Sequence, residues 1–275
     1  MRQHSVALIV IALCVSALYG GFLTNPTLFD DQYMFGAGYQ ERFIETLSFG
    51  PRSIAYLTLV IAPKWGVGGL VALRLESLIL HALVCMAIYF FMDQIQKVVT
   101  KESGKYSKLL PLFAAMIFAL HPVAVYGAAY LIQRTILMAT LFSLLSWTAL
   151  LNGLRINGRL MLWWSVVMFA LSVLSKEHAI TVPFVSCALV VWWWRSQVPK
   201  TSGLQLLMYL KWQVLAAVGI MVLVILSMRG VIGRPYEPDA VRMLDSIHPQ
   251  HSWFLSVITQ GCLFFKYVFL WLIPN

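Results

Sequence analysis

Two adjacent carboxylates, Asp30 and Asp31, stand in the first polar stretch of a strongly apolar chain, residues 23–52. A carboxylate in such a place can act as general base toward a hydroxyl group, or can hold a divalent cation such as Mg²⁺ or Mn²⁺ on a phosphate. Neighbouring acids repel each other, so one of the two is expected to have a raised pKa, which suits a base. The alternatives are a pair of solvated loop acids or a helix cap.

Five other side chains have the types needed to bind a phosphate or a sugar. The planar guanidinium of Arg134 can grip a phosphate, and Lys176 can add its charge to the same group. Glu177 can orient Lys176 or an acceptor, His121 can hydrogen-bond to a phosphate or a sugar, and Arg52 can contact a headgroup.

Each of these five also has a purely structural interpretation. Arg134 and Arg52 could be topological anchors at the membrane surface, and His121 could be structural. Lys176 and Glu177 could form an ion pair with each other at a helix end.

The composition places these residues in a membrane protein. The chain of 275 residues is 60% hydrophobic and 11% charged, with a mean hydropathy of +0.79, which is too apolar for a soluble domain. Long continuous apolar runs favour an α-helical bundle, since each backbone must satisfy its own hydrogen bonds in lipid. The four cysteines lie in apolar runs without metal-ligand spacing, so neither a zinc site nor a disulfide framework is predicted.

The apolar runs predict about seven or eight spans in a single transmembrane domain, residues 1–275. The predicted spans are 5–23, 67–92, 109–120, 135–152, 160–174, 180–194 and 213–228. Residues 253–273 are an eighth span or an interfacial helix. A first outer loop, 23–66, carries an interfacial helix at 53–62, and a second outer loop covers 229–252.

The loop charges predict an orientation. Basic residues dominate one set of loops, whereas acids and bases balance in the other set. The basic set is Arg2, Lys97, Lys101, Lys105, Lys108, Arg155, Arg159, Arg195, Lys200 and Lys211, beside only Asp93 and Glu102. By the positive-inside rule the N-terminus is cytoplasmic. The polar motifs at 30–31, 121–134, 176–178 and 229–252 then share the outer face, which predicts one polar site there.

Polar residues also occur inside the second predicted span. Arg74 and Glu76 stand at i and i+2, so they point to different faces of the helix, whereas His81 shares the face of Arg74. This stripe is interpreted mainly as packing between helices.

Three motifs, in order, resemble one family. They are HPVAVYGAAYLIQRTILMATLF at 121–142, LSKEHAITVPF at 174–184, and the segment 254–275 with Thr259, Gln260, Tyr267 and the final Pro-Asn. Residues 50–52 and His81 also fall where that family has a Pro/Arg pair and a helical histidine. The chain thus resembles the transmembrane, TPR-associated O-mannosyltransferase-like family of the glycosyltransferase-C superfamily and its bacterial relatives.

The resemblance implies a glycosyltransferase-C-type helical bundle that takes a sugar from a polyprenyl-phosphate donor. The acceptor would be a hydroxyl group of a protein, such as a Ser or Thr of a pilin, or of a glycan or lipid. The reaction would run on the periplasmic or lumenal face, with Asp30 or Asp31 as the catalytic residue. A bacterial inner membrane is the expected location, with no nucleic acid as partner.

Two departures from the family pattern bear on substrate choice. Tyr126 replaces an acid that relatives commonly have after the His-Pro pair, and Ile136 stands where an acid often follows the Gln-Arg pair. TPR repeats are absent and relatives continue beyond the position of Asn275, so either a compact member or a fragment is expected. The rival functions are a flippase for lipid-linked sugars and a non-catalytic membrane assembly subunit.

Overall fold

The fold is known from a computed structural model, which describes residues 2–35, 39–45, 50–61, 69–99, 109–196, 202–227, 246 and 252–273. The described residues form helices and turns, with no β-strand among them. The chain divides into two compact units, Met1–Val224 and Ile225–Asn275. The second outer loop, 229–252, lies almost wholly outside the described residues.

The helices follow the apolar runs of the sequence. They are α1 (Arg2–Tyr19), α2 (Asp30–Met34), α3 (Tyr39–Glu45), α4 (Ser53–Ile61), α5 (Leu70–Val99), α6 (Leu109–Ala119), α7 (Val125–Ala129), α8 (Arg134–Ile156), α9 (Arg159–Ser175), α10 (Val182–Arg195), α11 (Gly203–Ser227) and α12 (Ser252–Leu272). Short 3₁₀ helices lie at Gly20–Thr24, Pro122–Ala124, Leu131–Gln133 and Glu177–Thr181.

Among the described residues, five stretches are long and apolar enough to cross a membrane, and a bent pair raises the number to six. The five are His4–Thr24, Leu70–Val99, Leu131–Ile156, Gly203–Ser227 and Phe254–Leu272. The bent pair, Leu109–Ala119 with Pro122–Ala129, turns by 61° at the His-Pro motif. These helices make the chain an all-α membrane protein, while the predicted count of seven or eight spans stays a prediction.

The difference in count comes from two short helices. α9 has 17 residues and α10 has 14, so each is shorter than the roughly 20 residues that an untilted span needs. Two other helices are longer than predicted. α5 continues to Val99 and α11 begins at Gly203, so Lys97 and Lys211 lie within helices rather than in loops.

Two apolar clusters join the long helices. Ile11 and Val15 of α1 pack with Cys85 of α5 and Ala115 of α6. A second cluster places Val84 of α5 against residues of α8, among them Leu137 and Leu144. α5 is therefore the central helix around which α1, α6 and α8 are arranged.

The described part of the predicted first outer loop folds onto one end of these helices. Phe35, Phe43 and Leu59, from the loop helices α2 to α4, pack with Leu73 of α5 and with Leu131. The helix predicted at 53–62 is observed as α4, and its buried side accounts for its place against the bundle. This packing fixes the loop that carries Asp30 and Asp31 to the start of α8.

The turn between α8 and α9 brings the two helices into very close contact at Gly153. A Cβ atom built on Gly153 would lie 2.8 Å from Leu162 Cδ2 and 3.1 Å from the Leu162 backbone nitrogen. Small residues permit such close approach of membrane helices. Asn157, at a positive φ of 54°, ends α8 in the left-handed conformation typical of a helix C-terminus.

We expect Gly153→Ala to destabilise the protein. In an open helix this change would stabilise by about 1 kcal/mol through helix propensity, but here overpacking costs about 1–3 kcal/mol. The midpoint of thermal unfolding in detergent should therefore fall. Gly219→Ala in α11 is the matched control, because a Cβ there meets nothing within 4 Å, and its midpoint should stay or rise. A higher midpoint for Gly153→Ala would show that α8 and α9 are free to separate.

Candidate functional site

Asp31 is buried at the contact between the first outer loop and the start of α8. Its carboxylate accepts two backbone hydrogen bonds, from Leu131 N–H to Oδ2 at 2.8 Å and from Ile132 N–H to Oδ1 at 3.1 Å. The residue is only 2% exposed. The Asp31 carboxylate is therefore held in one orientation by two main-chain donors.

This environment changes the acidity of Asp31. Burial raises the pKa of the Asp31 carboxyl above its usual value, and the adjacent Asp30 acts in the same direction. The two backbone hydrogen bonds and the nearby Arg74 guanidinium oppose the rise without cancelling it. A carboxylate with a raised pKa is a stronger base toward a hydroxyl group.

Asp30 has a different environment, because its side chain is exposed. Its backbone N–H donates to the Tyr130 hydroxyl at 3.1 Å. Burial and the charges of Asp30 and Asp31 raise the pKa of Tyr130 to about 12, so this phenol stays protonated. The structure thus separates two carboxylates that look equivalent in the sequence, and it assigns the buried, oriented position to Asp31.

A cavity of about 230 Å³ opens beside Asp31. It combines charged, hydroxyl and aromatic groups in one small space. Its walls are Phe22, Asn25, Pro26, Leu28, Phe29, Asp31, Arg74, Val125, Tyr126, Ala129 and Tyr130. The ring of Tyr130 lies 6.1 Å from that of Phe29 and 5.4 Å from that of Tyr126, centroid to centroid.

Arg74 is the member of this cavity that sequence reasoning missed. It is 5% exposed, and its guanidinium donates to the backbone carbonyls of Leu23, Asn25 and Pro26. Arg74 thereby fastens the start of the outer loop to α5. The interpretation of Arg74 as a packing residue correctly predicted that its side chain is buried. Its position beside Asp31 depends on the backbone path of residues 23–29, which the sequence does not indicate.

Two residues near the site have backbone conformations that are unfavourable for side-chain-bearing residues. Phe29, directly before Asp30, has a φ of 52°, and Arg52 has a φ of 74°. Each such residue costs about 1–3 kcal/mol, and the surrounding packing must compensate for it. Strain of this kind is common at functional sites, and here it sets the direction in which α2 leaves the loop.

A second polar cluster forms from Arg52, Lys176 and Glu177. Arg52 donates to both oxygens of Glu177, with Nη2 to Oε1 at 2.6 Å and Nε to Oε2 at 3.0 Å. Glu177 therefore pairs with Arg52 across the fold, in place of the ion pair with its neighbour Lys176 that a structural interpretation suggested. The cluster keeps one formal positive charge in excess.

The charges of this cluster shift one another. Burial alone would raise the pKa of Glu177, but the hydrogen bonds from Arg52 lower it below its usual value. Burial lowers the pKa of Lys176, and the Arg52 charge adds to that effect. Such perturbed groups are typical of functional sites, although structural ion pairs produce them as well.

The N-terminal turn of α8 connects the two clusters. Lys176 Nζ lies 3.5 Å from the Thr135 hydroxyl, which itself donates to the Ile132 carbonyl at 3.2 Å. The N–H of the same Ile132 donates to Asp31. Residues 131–135 thus bring together Asp31 from the first loop and Lys176 from the turn after α9, and the side of the membrane that they face stays a prediction.

Arg134 lies in the interior of the helical bundle, whereas the predicted phosphate contact suggested an accessible position. It is fully buried, and its guanidinium donates to Glu76 Oε2 at 2.9 Å, to the Leu73 carbonyl at 2.7 Å and to the Thr58 hydroxyl at 3.3 Å. Its observed role is to join α8 to α5 and α4. The pairing also agrees with the prediction that Arg74 and Glu76 point in different directions, and a phosphate contact by Arg134 stays a prediction.

His121 is placed in the bend between α6 and α7. Its Nδ1 accepts the Val123 N–H at 3.2 Å, and its carbonyl accepts the Tyr19 hydroxyl at 3.4 Å. Both contacts support the turn at the His-Pro motif. His121 is not among the described residues that line the cavity beside Asp31, and the predicted substrate contact stays a prediction.

A divalent cation fits the described residues poorly. They contain no group of three or more His, Cys, Asp or Glu side chains arranged to hold a metal ion. Of the two expected ligands, Asp31 already accepts hydrogen bonds on both oxygens, and Asp30 is exposed. No step below is therefore assigned to Mg²⁺ or Mn²⁺.

A larger cavity, of about 400 Å³, lies among α8, α9, α10 and α11. Its described walls contain no Asp, Glu, His, Lys or Arg, and the residues are mostly apolar. Gln213 and Cys187 are among the few exceptions. A space of this kind suits hydrocarbon rather than proton or phosphate chemistry, so the smaller cavity beside Asp31 is the candidate active site.

Comparison with known proteins identifies no relative of this chain. No family model, curated protein or solved structure matches the chain. The family resemblance carried by the motifs at 121–142, 174–184 and 254–275 accordingly stays a prediction.

Proposed function

We propose that this protein is a membrane glycosyltransferase that moves a sugar from a polyprenyl-phosphate donor to a hydroxyl acceptor. Asp31 is the general base, and the reaction takes place on the outer, periplasmic or lumenal, face of the membrane. A bacterial inner membrane with a cytoplasmic N-terminus is the proposed setting. The observation that carries the proposal is a buried carboxylate with a raised pKa, held by two backbone donors at the wall of a partly aromatic cavity.

The proposed reaction is a displacement at the anomeric carbon of the donor. The acceptor oxygen forms a bond to this carbon while its proton passes to the Asp31 carboxylate. The bond between the anomeric carbon and the phosphate oxygen breaks, and its electron pair leaves with the polyprenyl phosphate. Asp31 then releases the proton to water, which restores the base.

The leaving phosphate gains negative charge, which a nearby cation can stabilise. We assign this role to Lys176, supported by Arg52. The Arg52 guanidinium already binds Glu177 through two hydrogen bonds, so its contribution is to position Glu177 and to keep the cluster positive overall. The charges of Arg52 and Glu177 cancel, so Lys176 carries the excess positive charge of the cluster.

The first test is transfer by the purified protein in lipid vesicles, supplied with radiolabelled polyprenyl-phosphate sugars and a panel of hydroxyl acceptors. We expect transfer whose kcat/KM rises with pH and levels off above the pKa of Asp31. Because burial raises that pKa, the acid limb should lie above the ordinary aspartate value of about 4. Because the Asp30 charge contributes to the raised pKa of Asp31, the limb should move to lower pH when Asp30 is changed to Asn, while transfer persists.

A complete absence of transfer with every donor would contradict the proposal. It would favour the alternative of a non-catalytic assembly subunit, for which one observation speaks. Both oxygens of Asp31 accept main-chain hydrogen bonds, as they would if its role were to fasten the outer loop to α8. A transporter of lipid-linked sugars has no comparable support among the contacts of the described residues.

A further inference from the structure

The Arg74 guanidinium retains donor capacity for a ligand. Its two terminal nitrogens donate to loop carbonyls, but its buried Nε–H has no hydrogen-bond partner among the residues that the structure describes. A buried donor left without an acceptor costs free energy, so a partner is expected when the site is in use. Arg74 lines the cavity beside Asp31, and its charge acts on the Asp31 carboxyl, so the guanidinium lies at the wall near the proposed base.

The charges in the cavity favour a neutral ligand. Asp31 and Arg74 carry opposite formal charges that cancel, and the exposed Asp30 adds negative charge close by. A phosphate or another anion would meet the Asp31 carboxylate, whereas hydroxyl groups can donate to Asp31 and accept from Arg74. The separate cluster of Arg52 and Lys176 is better suited to the anionic part of the donor.

The shape and the remaining walls favour a sugar ring. The cavity volume of about 230 Å³ equals that of roughly seven or eight waters, enough for one compact polar unit. Phe29, Tyr126 and Tyr130 provide aromatic faces, and the Tyr130 phenol remains protonated as a further hydroxyl partner. Aromatic faces suit the C–H surfaces of a pyranose, while the polar groups suit its hydroxyls.

We propose that this cavity binds a neutral saccharide as the acceptor, with the Arg74 guanidinium as the donor that orients the acceptor hydroxyl toward Asp31. The inference rests on the proposed glycosyltransferase function and narrows its acceptor from any hydroxyl compound to a sugar. Tyr126, which replaces the acid expected after the His-Pro pair, supplies a neutral aromatic wall in this site.

Saturation-transfer NMR on the protein in lipid nanodiscs tests the binding step directly. The probes are methyl glycosides of glucose, galactose, mannose and N-acetylglucosamine, with methyl glucuronide and a Ser/Thr-rich peptide as comparisons. We expect at least one neutral glycoside to bind, and we expect Arg74→Gln to weaken it by roughly tenfold or more, the usual effect of a hydrogen bond to a charged group. Arg159→Gln, at an exposed position at the start of α9, is the matched control.

A second variant keeps the test decisive if Arg74→Gln fails to fold. Ala129→Leu adds volume to the cavity wall without removing a polar contact, and it should abolish glycoside binding. Glycoside binding that survives Ala129→Leu, or that a folded Arg74→Gln leaves unchanged, would overturn the inference, as would the absence of binding by any glycoside.

The two proposals fail in different ways. Sugar transfer to the Ser/Thr peptide, without glycoside binding, would overturn the saccharide acceptor and leave the glycosyltransferase in place. Glycoside binding that depends on Arg74, in a protein that transfers no sugar from any donor, would support a saccharide site and remove the proposed catalysis.

Discussion

Replacing Asp31 with asparagine should reduce sugar transfer by about 10²–10⁴-fold, the range that a positioned general base contributes. Asparagine has nearly the same shape but cannot take the proton of the acceptor hydroxyl. The loss should appear in kcat, because the cavity volume changes little. The measurement is the initial rate of transfer in lipid vesicles at saturating donor.

The same substitution has a smaller expected effect on folding. The asparagine oxygen can accept only from one side, so one of the N–H groups of Leu131 and Ile132 loses its carboxylate partner. The free energy of unfolding should fall by about 1–3 kcal/mol. Part of the loss is offset, since the cost of burying the Asp31 charge disappears. Thermal unfolding in detergent separates this effect from the loss of rate.

Asp30→Asn is the matched control for Asp31→Asn. Its side chain is exposed, the hydrogen bond from its backbone N–H to Tyr130 is kept, and the asparagine oxygen can still accept from the Tyr130 hydroxyl. Transfer should therefore remain within a few-fold of the parent. Equal rates for the parent and a folded Asp31→Asn would assign Asp31 a structural role and favour the assembly subunit. Loss of rate in Asp30→Asn alone would move the base to the exposed acid.

Removing Glu76 should destabilise the protein more than any other single change considered. Glu76→Leu leaves the Arg134 guanidinium, which is fully buried, without its carboxylate. Breaking a buried ion pair in this way costs about 3–5 kcal/mol, and the partial exposure of Glu76 favours the lower end. Unfolding of the protein by SDS in mixed micelles measures this difference.

A second substitution in the same protein should reverse most of that loss. Arg134→Met combined with Glu76→Leu removes both charges and fills similar volume, and apolar replacements of buried pairs are often neutral. The double variant should therefore be more stable than Glu76→Leu alone, giving a coupling energy in a double-mutant cycle. Arg155→Met, at an exposed position near the end of α8, should change stability little. A coupling energy near zero would show that Arg134 is satisfied by Leu73 and Thr58 without Glu76.

The helices were predictable from the sequence to the extent that hydropathy alone determines them. The runs at 109–120, 135–152 and 253–273 appear as α6, α8 and α12 with ends shifted by a few residues. The ends of α5 and α11 were less predictable, because polar residues such as Lys97 and Lys211 continue a helix beyond its most apolar stretch. Span number depends on whether the short helices α9 and α10 cross the bilayer, which helix formation alone does not determine.

The sequence predicted the region of the candidate site, but it did not predict which acidic and basic side chains pair there. Asp31 and Lys176, which were predicted to share one face, both contact residues at the start of α8. That this face is the outer one stays a prediction. Which acid is buried depends on the unusual backbone of Phe29, and which cation meets which acid depends on how α4, α5 and α8 pack. These are long-range contacts, for which sequence spacing carries no signal.

The main-chain attachment of Asp31 has a consequence for how this site tolerates sequence change. The groups that hold the carboxylate are peptide N–H donors of residues 131 and 132, so every amino acid except proline supplies them. Side chains at these two positions can vary for packing reasons while the position of the acid is retained. An alignment of amino-acid sequences therefore does not reveal the groups that hold the Asp31 carboxylate. Related chains can share this geometry with different residues at positions 131 and 132.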